Sequence, residues 1–495
     1  MTTQPRSLAS GSAMMLLSLS SAGVVSVLTS IMIARTIGVG DFGIYSILVS
    51  LQSVVSMIAG FGLGTAVAKY IAEYRVRDEE KALRFAKIGL GLTSIFALVA
   101  GIVYVLISGL IGNELYKEPS MVGLIPFSAL VVLSSTILSM VVGIAQGCQR
   151  IRMLAAIQIS SPALSLALIF LLLSSIGIRG IFIGYFLSQL TISSISLLRF
   201  NRSDFRFGKV LLEPGIRSTT ATKLLSFGFP MLLSGLMVVP VVWIGSTDLA
   251  ISSGFQAMGY FAAALVIYQS LTVIPNSITI PLMPRISELS AISEKDVERV
   301  VSKTVRTLSV ILFPFLFAIG LASPFIVGIL YGQEYSPSVE VTYLMVVASY
   351  FFALASVLGA MISGMGRVWL GLCLNVFWAG MFLALVFIMV PAQGVNGLGT
   401  AYAVSYGAFL VSLIVVSKRL LRVDLGSVYI TGFSSVAFFI VGFFLSDGGG
   451  LTVYLERAGL LAVAVAFFMV VGWKDVTATV QRFKQLLSGL GNSQQ

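Results

Sequence analysis

Eight polar side chains stand out in an otherwise apolar chain: Arg35, Asp41, Gln52, Lys69, Asp248, Gln269, Asn276 and Arg285. Arginine carries a planar fork of donors that grips a carboxylate or a phosphate. Arg35 can therefore pair with Asp41 or Asp248 as an ion-pair gate, or hold an anion itself. Gln52, Gln269 and Asn276 are bulky polar groups inside apolar stretches, and such groups ordinarily face an interior. Lys69 and Arg285 suit a cationic entrance. This set binds and gates; it does not cleave bonds. Histidine is absent, which removes the commonest general base and metal ligand. The two cysteines, Cys148 and Cys373, show neither a disulfide framework nor metal spacing. No catalytic residue, metal site or cofactor is expected, and the chain is not expected to be an enzyme.

The elements that must position these residues are membrane helices. Of 495 residues, 57% are hydrophobic and only 10% are charged, with a mean hydropathy of +1.00, whereas soluble domains carry about 25% charge. A spanning helix needs roughly 20 apolar residues. Fourteen such segments can be read, from 11–34 and 42–64 to 428–446 and 454–472. The first is long enough to span and lacks a convincing cleavage site, so no cleavable signal peptide is expected. In hydrocarbon each segment must be a helix, because its backbone polar groups find partners only within it.

With the N-terminus placed in the cytoplasm, all but Arg35, Lys117, Arg179 and Arg457 of the 31 lysines and arginines fall on the inner side. That asymmetry sets the expected orientation, a multi-pass protein of the cell (inner) membrane with both termini on the cytoplasmic side. It also accounts for the net charge of +11 without nucleic acid.

Residues 34–45, ARTIGVGDFGIY, join the first two spans. Gly38 and Gly40 are expected to make the turn, with Asp41 as N-cap of the second span. Serines crowd the first two spans, and the eighth is rich in serine and threonine; these small hydroxyls are also ordinary helix-packing residues. Pro230, Pro240, Pro275, Pro281 and Pro284 can make a bending gate or static kinks. Lys69 and Arg285 have an alternative as inner-face anchors. The stretch RVRDEEKALRFAK, 75–87, reads as a solvated or interfacial helix, and ISEKDVERVVSK, 292–303, as its counterpart.

The chain repeats itself at an offset of 216–217. Gly38 and Gly43 match Gly254 and Gly259, and Lys69 matches Arg285. GIRGIFIGYFLS at 177–188 matches GVNGLGTAYAVS at 394–405, and GCQR ending at Arg150 matches GMGR ending at Arg367. Six spans per copy make the repeat parallel, as in transporters that rock about a central site. The charges of the first hinge do not recur: Arg35 becomes Ile251, and Asp41 becomes Ala257. The expected organisation is an N-lobe at 1–199, an inter-lobe loop at 200–223 and a C-lobe at 224–417. Two further helices at 428–472 and a cytoplasmic tail at 473–495 complete it.

The pattern AR-x-x-G-x-x-x-FG-x-Y at 34–45 resembles the start of the polysaccharide (lipid-linked oligosaccharide) flippases of the multidrug/oligosaccharidyl-lipid/polysaccharide exporter superfamily. FGFP at 227–230 resembles the opening of their second lobe, and Asp248 sits where many members carry an acid. The resemblance implies an all-α polytopic membrane protein of 14 helices. Its two six-helix lobes would flank a cavity lined by the first, second, seventh and eighth spans. It implies transfer of a sugar–phosphate–lipid from the inner to the outer leaflet by alternating access. The expected partners are the lipid-linked glycan and membrane lipids; docking of a glycan polymerase or transferase is left open, and a monomer is expected. The alternative is a cation-coupled multidrug exporter of the same fold, disfavoured by the scarcity of carboxylates within spans. A membrane enzyme is disfavoured by short outer loops and the lack of a nucleotide motif.

Overall fold

The structure, a computed structural model, describes residues 5–75, 77–203, 214–421, 434–442, 456–457 and 459–467. Among them the chain is helical, with no strand. The helices are α1 (Pro5–Gly60), α2 (Leu63–Tyr74), α3 (Glu79–Leu106), α4 (Ser120–Gly147), α5 (Ile151–Ile176), α6 (Ile178–Ser203) and α7 (Pro214–Leu236). They continue as α8 (Val239–Ser290), α9 (Glu294–Leu321), α10 (Ser323–Leu330), α11 (Ser338–Gly364), α12 (Val368–Gln393) and α13 (Val395–Leu421). A π-helical turn, Leu110–Leu115, follows α3.

Ten stretches are long and apolar enough to cross a membrane, two of them oversized: 44 residues at Leu17–Gly60 and 72 at Thr219–Ser290. A glycine divides each into two spans, and the second also carries a short turn at 237–238 between α7 and α8. Gly38 has φ 78° and ψ 173°, and Gly254 has φ 84° and ψ 169°. That backbone region is open almost only to glycine. Counting each as two spans accounts for the first twelve expected. The last two, near 428–446 and 454–472, are described only in part, at 434–442, 456–457 and 459–467.

The break corrects one expectation. Gly38 alone interrupts the helix, and Gly40 is already helical. Asp41 therefore lies three residues inside the following helix rather than at its cap, where its charge still favours the helix N-terminus. The 75–87 stretch likewise makes no separate interfacial helix. Asp78 caps α3 by accepting from the Lys81 amide, so the charged residues form the first turns of a spanning helix. Ser293 caps α9 in the same way, accepting from the Asp296 amide.

The repeat is written in the backbone. Gly177 and Gly394, which end α5 and α12, have φ 60° and 58°. Gln149 and Gly366 share a left-handed conformation, φ 56° and 73°, one residue before Arg150 and Arg367. A Cβ on Gly180 would collide with the Leu172 carbonyl, and one on Gly397 with that of Met389. Each glycine thus lets its helix fold back on the preceding one.

Two compact units divide the chain, residues 1–262 and 263–495. The first packs Leu63, Val67, Ile71, Phe85, Met140, Ile144, Leu154, Phe200 and Leu224 into one cluster. The second is built around α11, most of whose inward face is buried. There Phe313, Phe317, Tyr350 and Phe439 meet at centroid separations of 5.3–5.8 Å. Because lipid is as apolar as leucine, such interdigitation holds membrane helices together more than any hydrophobic drive between them.

Candidate functional site

At the Gly38 end of the first unit, two glycines let two helix segments cross. A Cβ on Gly43 would collide with the Phe255 carbonyl, and one on Gly259 with the Val39 carbonyl. These four residues map onto one another under the repeat offset, so the crossing is two-fold in character. Arg35 and Asp41 flank this crossing and are both exposed. Asp248 lies six residues before Gly254, and its Oδ2 is buried with no hydrogen-bond partner. Neither Asp41 nor Asp248 has an ion-pair partner among the described residues, so the expected gate to Arg35 is not formed in this conformation.

What fastens this end is Tyr116, a residue outside the candidate set. Trp243 Nε1 donates to the Tyr116 hydroxyl at 3.2 Å, and that hydroxyl lies 2.7 Å from Thr247 Oγ1. With its oxygen accepting from Trp243, Tyr116 is free to donate to Thr247. Burial raises the Tyr116 phenol above its ordinary range, and the two hydrogen bonds offset part of that rise. Nothing in the local sequence YKEPS marks this tyrosine.

At the other end, α2 meets α7. The helix breaks at Phe61 and Gly62, both at positive φ, 46° and 68°. A Cβ on Gly62 would lie 2.6 Å from the Gly228 carbonyl, and one on Gly228 would collide with that of Phe61. The FGFP motif thus supplies the glycine that lets α7 touch the α1–α2 break. Beyond it, the rings of Phe61 and Phe229 lie 6.2 Å apart. Tyr70 Oη reaches the Lys223 carbonyl at 3.5 Å.

Lys69 sits on this junction. Its Nζ is 4.3 Å from the Phe227 centroid and 4.9 Å from that of Tyr70. Tyr70 stacks on Phe85 at 4.6 Å, and Phe85 on Tyr74 at 5.6 Å. Lys81 Nζ closes the pile 4.1 Å over Tyr74. Neither lysine has a carboxylate partner among the described residues. Nearby, Arg75 donates to the Cys148 carbonyl. Burial pushes the Cys148 thiol up to about 11, with Arg75 and Arg150 pulling the other way. Arg285, the repeat partner of Lys69, is paired with Glu288 at 3.0 Å, both side chains exposed.

The three amides behave unlike the hydroxyls around them. Ser46, Ser53, Ser270, Ser277 and Thr279 donate to carbonyls of their own preceding turn. They need no cavity, which favours packing for the serines. Gln52 is half-buried, and Gln269 and Asn276 are exposed. None of the three side chains has a hydrogen-bond partner among the described residues. Gln269 and Asn276 are seven apart on α8 and so share a face.

Known proteins match this arrangement. A family model described as polysaccharide biosynthesis protein matches residues 8–290. An uncharacterised membrane protein of Methanocaldococcus jannaschii is 22% identical over 404 residues, covering 78% of this chain and 92% of the relative. Among solved structures, the lipid II flippase MurJ in an inward closed conformation gives a TM-score of 0.75 at 12% identity, over 94% of this chain and 99% of that one. An inward-facing multidrug resistance transporter of the MATE family, within the MOP superfamily, gives 0.67 at 16% identity, over 83% and 98%. The fold is that of these transporters.

Proposed function

The chain belongs to the polysaccharide biosynthesis protein family, and from that premise we propose that it flips a lipid-linked oligosaccharide, a polyprenyl phosphate or pyrophosphate sugar, from the cytoplasmic to the outer leaflet. The transfer serves assembly of cell-surface polysaccharide or glycan and proceeds by alternating access. The cargo's lipid tail can stay in the bilayer, but its phosphate and sugars need a hydrated route.

One observation carries this reading. Gln52, Gln269 and Asn276 lie within apolar helices, away from the packed core of their own units, with no hydrogen-bond partner for their side chains among the described residues. An amide left unpaired in hydrocarbon costs several kcal/mol. Such groups are stable only against water or a polar cargo, so we assign them to the hydrated route. Arg35 is assigned to the phosphate, and Asp41 and Asp248 to the end of the route beside Gly38 and Gly254. The reading is tested with single cysteines at Gln269 and Asn276. A membrane-impermeant maleimide should label both, and a lipid-linked oligosaccharide should protect them.

A second reading has one supporting feature. Asp248 Oδ2 is buried and unpartnered, as a carboxylate waiting for a cation would be, which fits a cation-coupled exporter of this fold. Protection of the same cysteines by organic cations instead of glycan carriers would favour it.

A further inference from the structure

Lys69 and Arg285 occupy matching places in the two copies of the repeat, yet only Arg285 is neutralised by a carboxylate, Glu288 at 3.0 Å. Lys69 rests on two rings, Phe227 at 4.3 Å and Tyr70 at 4.9 Å. Those rings come from different helices, Tyr70 from α2 and Phe227 from α7. Lys69 is therefore a positive clasp between them. Lys223 stands one turn before Phe227 on the same helix, and its carbonyl receives the Tyr70 hydroxyl. Lys69 and the Tyr70 phenol thus meet α7 at one junction, Lys223 stands four residues before Phe227 on that helix, and neither lysine has a carboxylate partner among the described residues. The backbones on both sides of the junction are already thinned to glycine at Gly62 and Gly228.

A ring face is a weak seat for an exposed ammonium, and a phosphate is a stronger partner. We infer that this junction is a phosphate site, and that a phosphate bound by Lys69 and Lys223 lifts Lys69 off Phe227 and releases α2 from α7. Resting on the flipping reading above, this makes the carrier's own phosphate the signal that opens the Lys69 end. Of the repeat-related pair, only Lys69 fills the role, because Glu288 pairs with Arg285.

The test measures the α2–α7 separation. Nitroxides are placed at Ala72→Cys and Ser226→Cys, two exposed positions, in full-length protein carrying Cys148→Ala and Cys373→Ser. The protein is held in nanodiscs of zwitterionic lipid, and pulsed electron resonance reads the distance. Polyprenyl phosphate should add a longer-distance population, and uncharged polyprenol should not. A response to inorganic phosphate would identify the free anion as a sufficient source of the same chemistry; a response to polyprenyl phosphate alone would identify the lipid carrier. Lys69→Gln should need roughly tenfold more phosphate or fail to respond, which corresponds to losing one charge-assisted contact. Lys69→Arg should retain the response. Phe227→Leu should show the longer population without any ligand. Arg285→Gln should respond as wild type does.

An unmoved distance in wild type, or an undiminished response in Lys69→Gln, overturns the inference. Flipping that proceeds while the distance stays fixed would remove this inference and leave the proposed function standing. A phosphate response without any flipping would do the reverse.

Discussion

Gly43 and Gly259 each press against the backbone that precedes the other: Gly43 on Phe255, and Gly259 on Val39. The contact is reciprocal because both pairs descend from one repeat unit. A methyl group at either position meets a carbonyl oxygen, an atom that cannot rotate away. Gly40 escapes such a clash, since its Cβ would approach only Gln256 Cγ, at 4.0 Å.

Substitution should follow that geometry. Gly43→Ala and Gly259→Ala should each cost about 1–3 kcal/mol, the range for overpacking, and lower the melting temperature of the detergent-solubilised protein by several degrees. Gly40→Ala should stay within about 0.5 kcal/mol of wild type. Thermal unfolding of the three variants side by side checks the order. Equal losses in all three would show that the crossing is not backbone-tight.

Tyr116 should matter through its oxygen. Tyr116→Phe removes the donor to Thr247 and leaves the Trp243 N–H without its acceptor. The expected cost is about 1–3 kcal/mol, as for an unsatisfied buried polar group. Tyr116→Phe with Trp243→Phe should recover part of the loss, because the orphaned donor is gone. A double-mutant cycle on thermal stability measures the coupling, and strict additivity would refute it.

Cys148 offers a pH readout. Burial holds its thiol at about 11, above the ordinary cysteine value of about 8.5. The neutral form is favoured in the folded state, so the thiolate needed for alkylation is scarce at neutral pH. A raised folded value contributes stability that is present below the ordinary value and lost as pH rises toward about 11. In a Cys373→Ser background, alkylation should be slow at pH 7 and accelerate between about pH 9 and 11. Rapid labelling at pH 7 would show that the α4–α5 turn opens readily.

Much of the frame could be read from the sequence, and for a physical reason. Gly38 and Gly254 adopt a backbone conformation closed to other residues, so their recurrence 216 positions apart is a real constraint. Apolar runs of spanning length follow from bilayer thickness in the same direct way. The inner arrangement was harder to see. Phe227 lies 158 positions from Lys69, and Thr247 lies 131 from Tyr116; contacts across such separations leave no periodic trace. Two turn glycines would make Asp41 a cap, but one glycine, Gly38, suffices for the break and leaves Asp41 within the helix. Lys69 and Arg285 share a place in the repeat but not a partner, because Glu288, three residues beyond Arg285, pairs with it.

The central claim is that this protein carries a lipid-linked oligosaccharide across the membrane. It is tested most directly by reconstituting the purified protein in vesicles with a fluorescent polyprenyl-pyrophosphate oligosaccharide and following label accessibility between leaflets. The account predicts protein-dependent flipping by wild type and its loss in Arg35→Ala. Flipping that survives Arg35→Ala would remove Arg35 from the route. No flipping by wild type, across several polyprenyl carriers, would contradict the claim itself and turn attention to organic cations as the cargo.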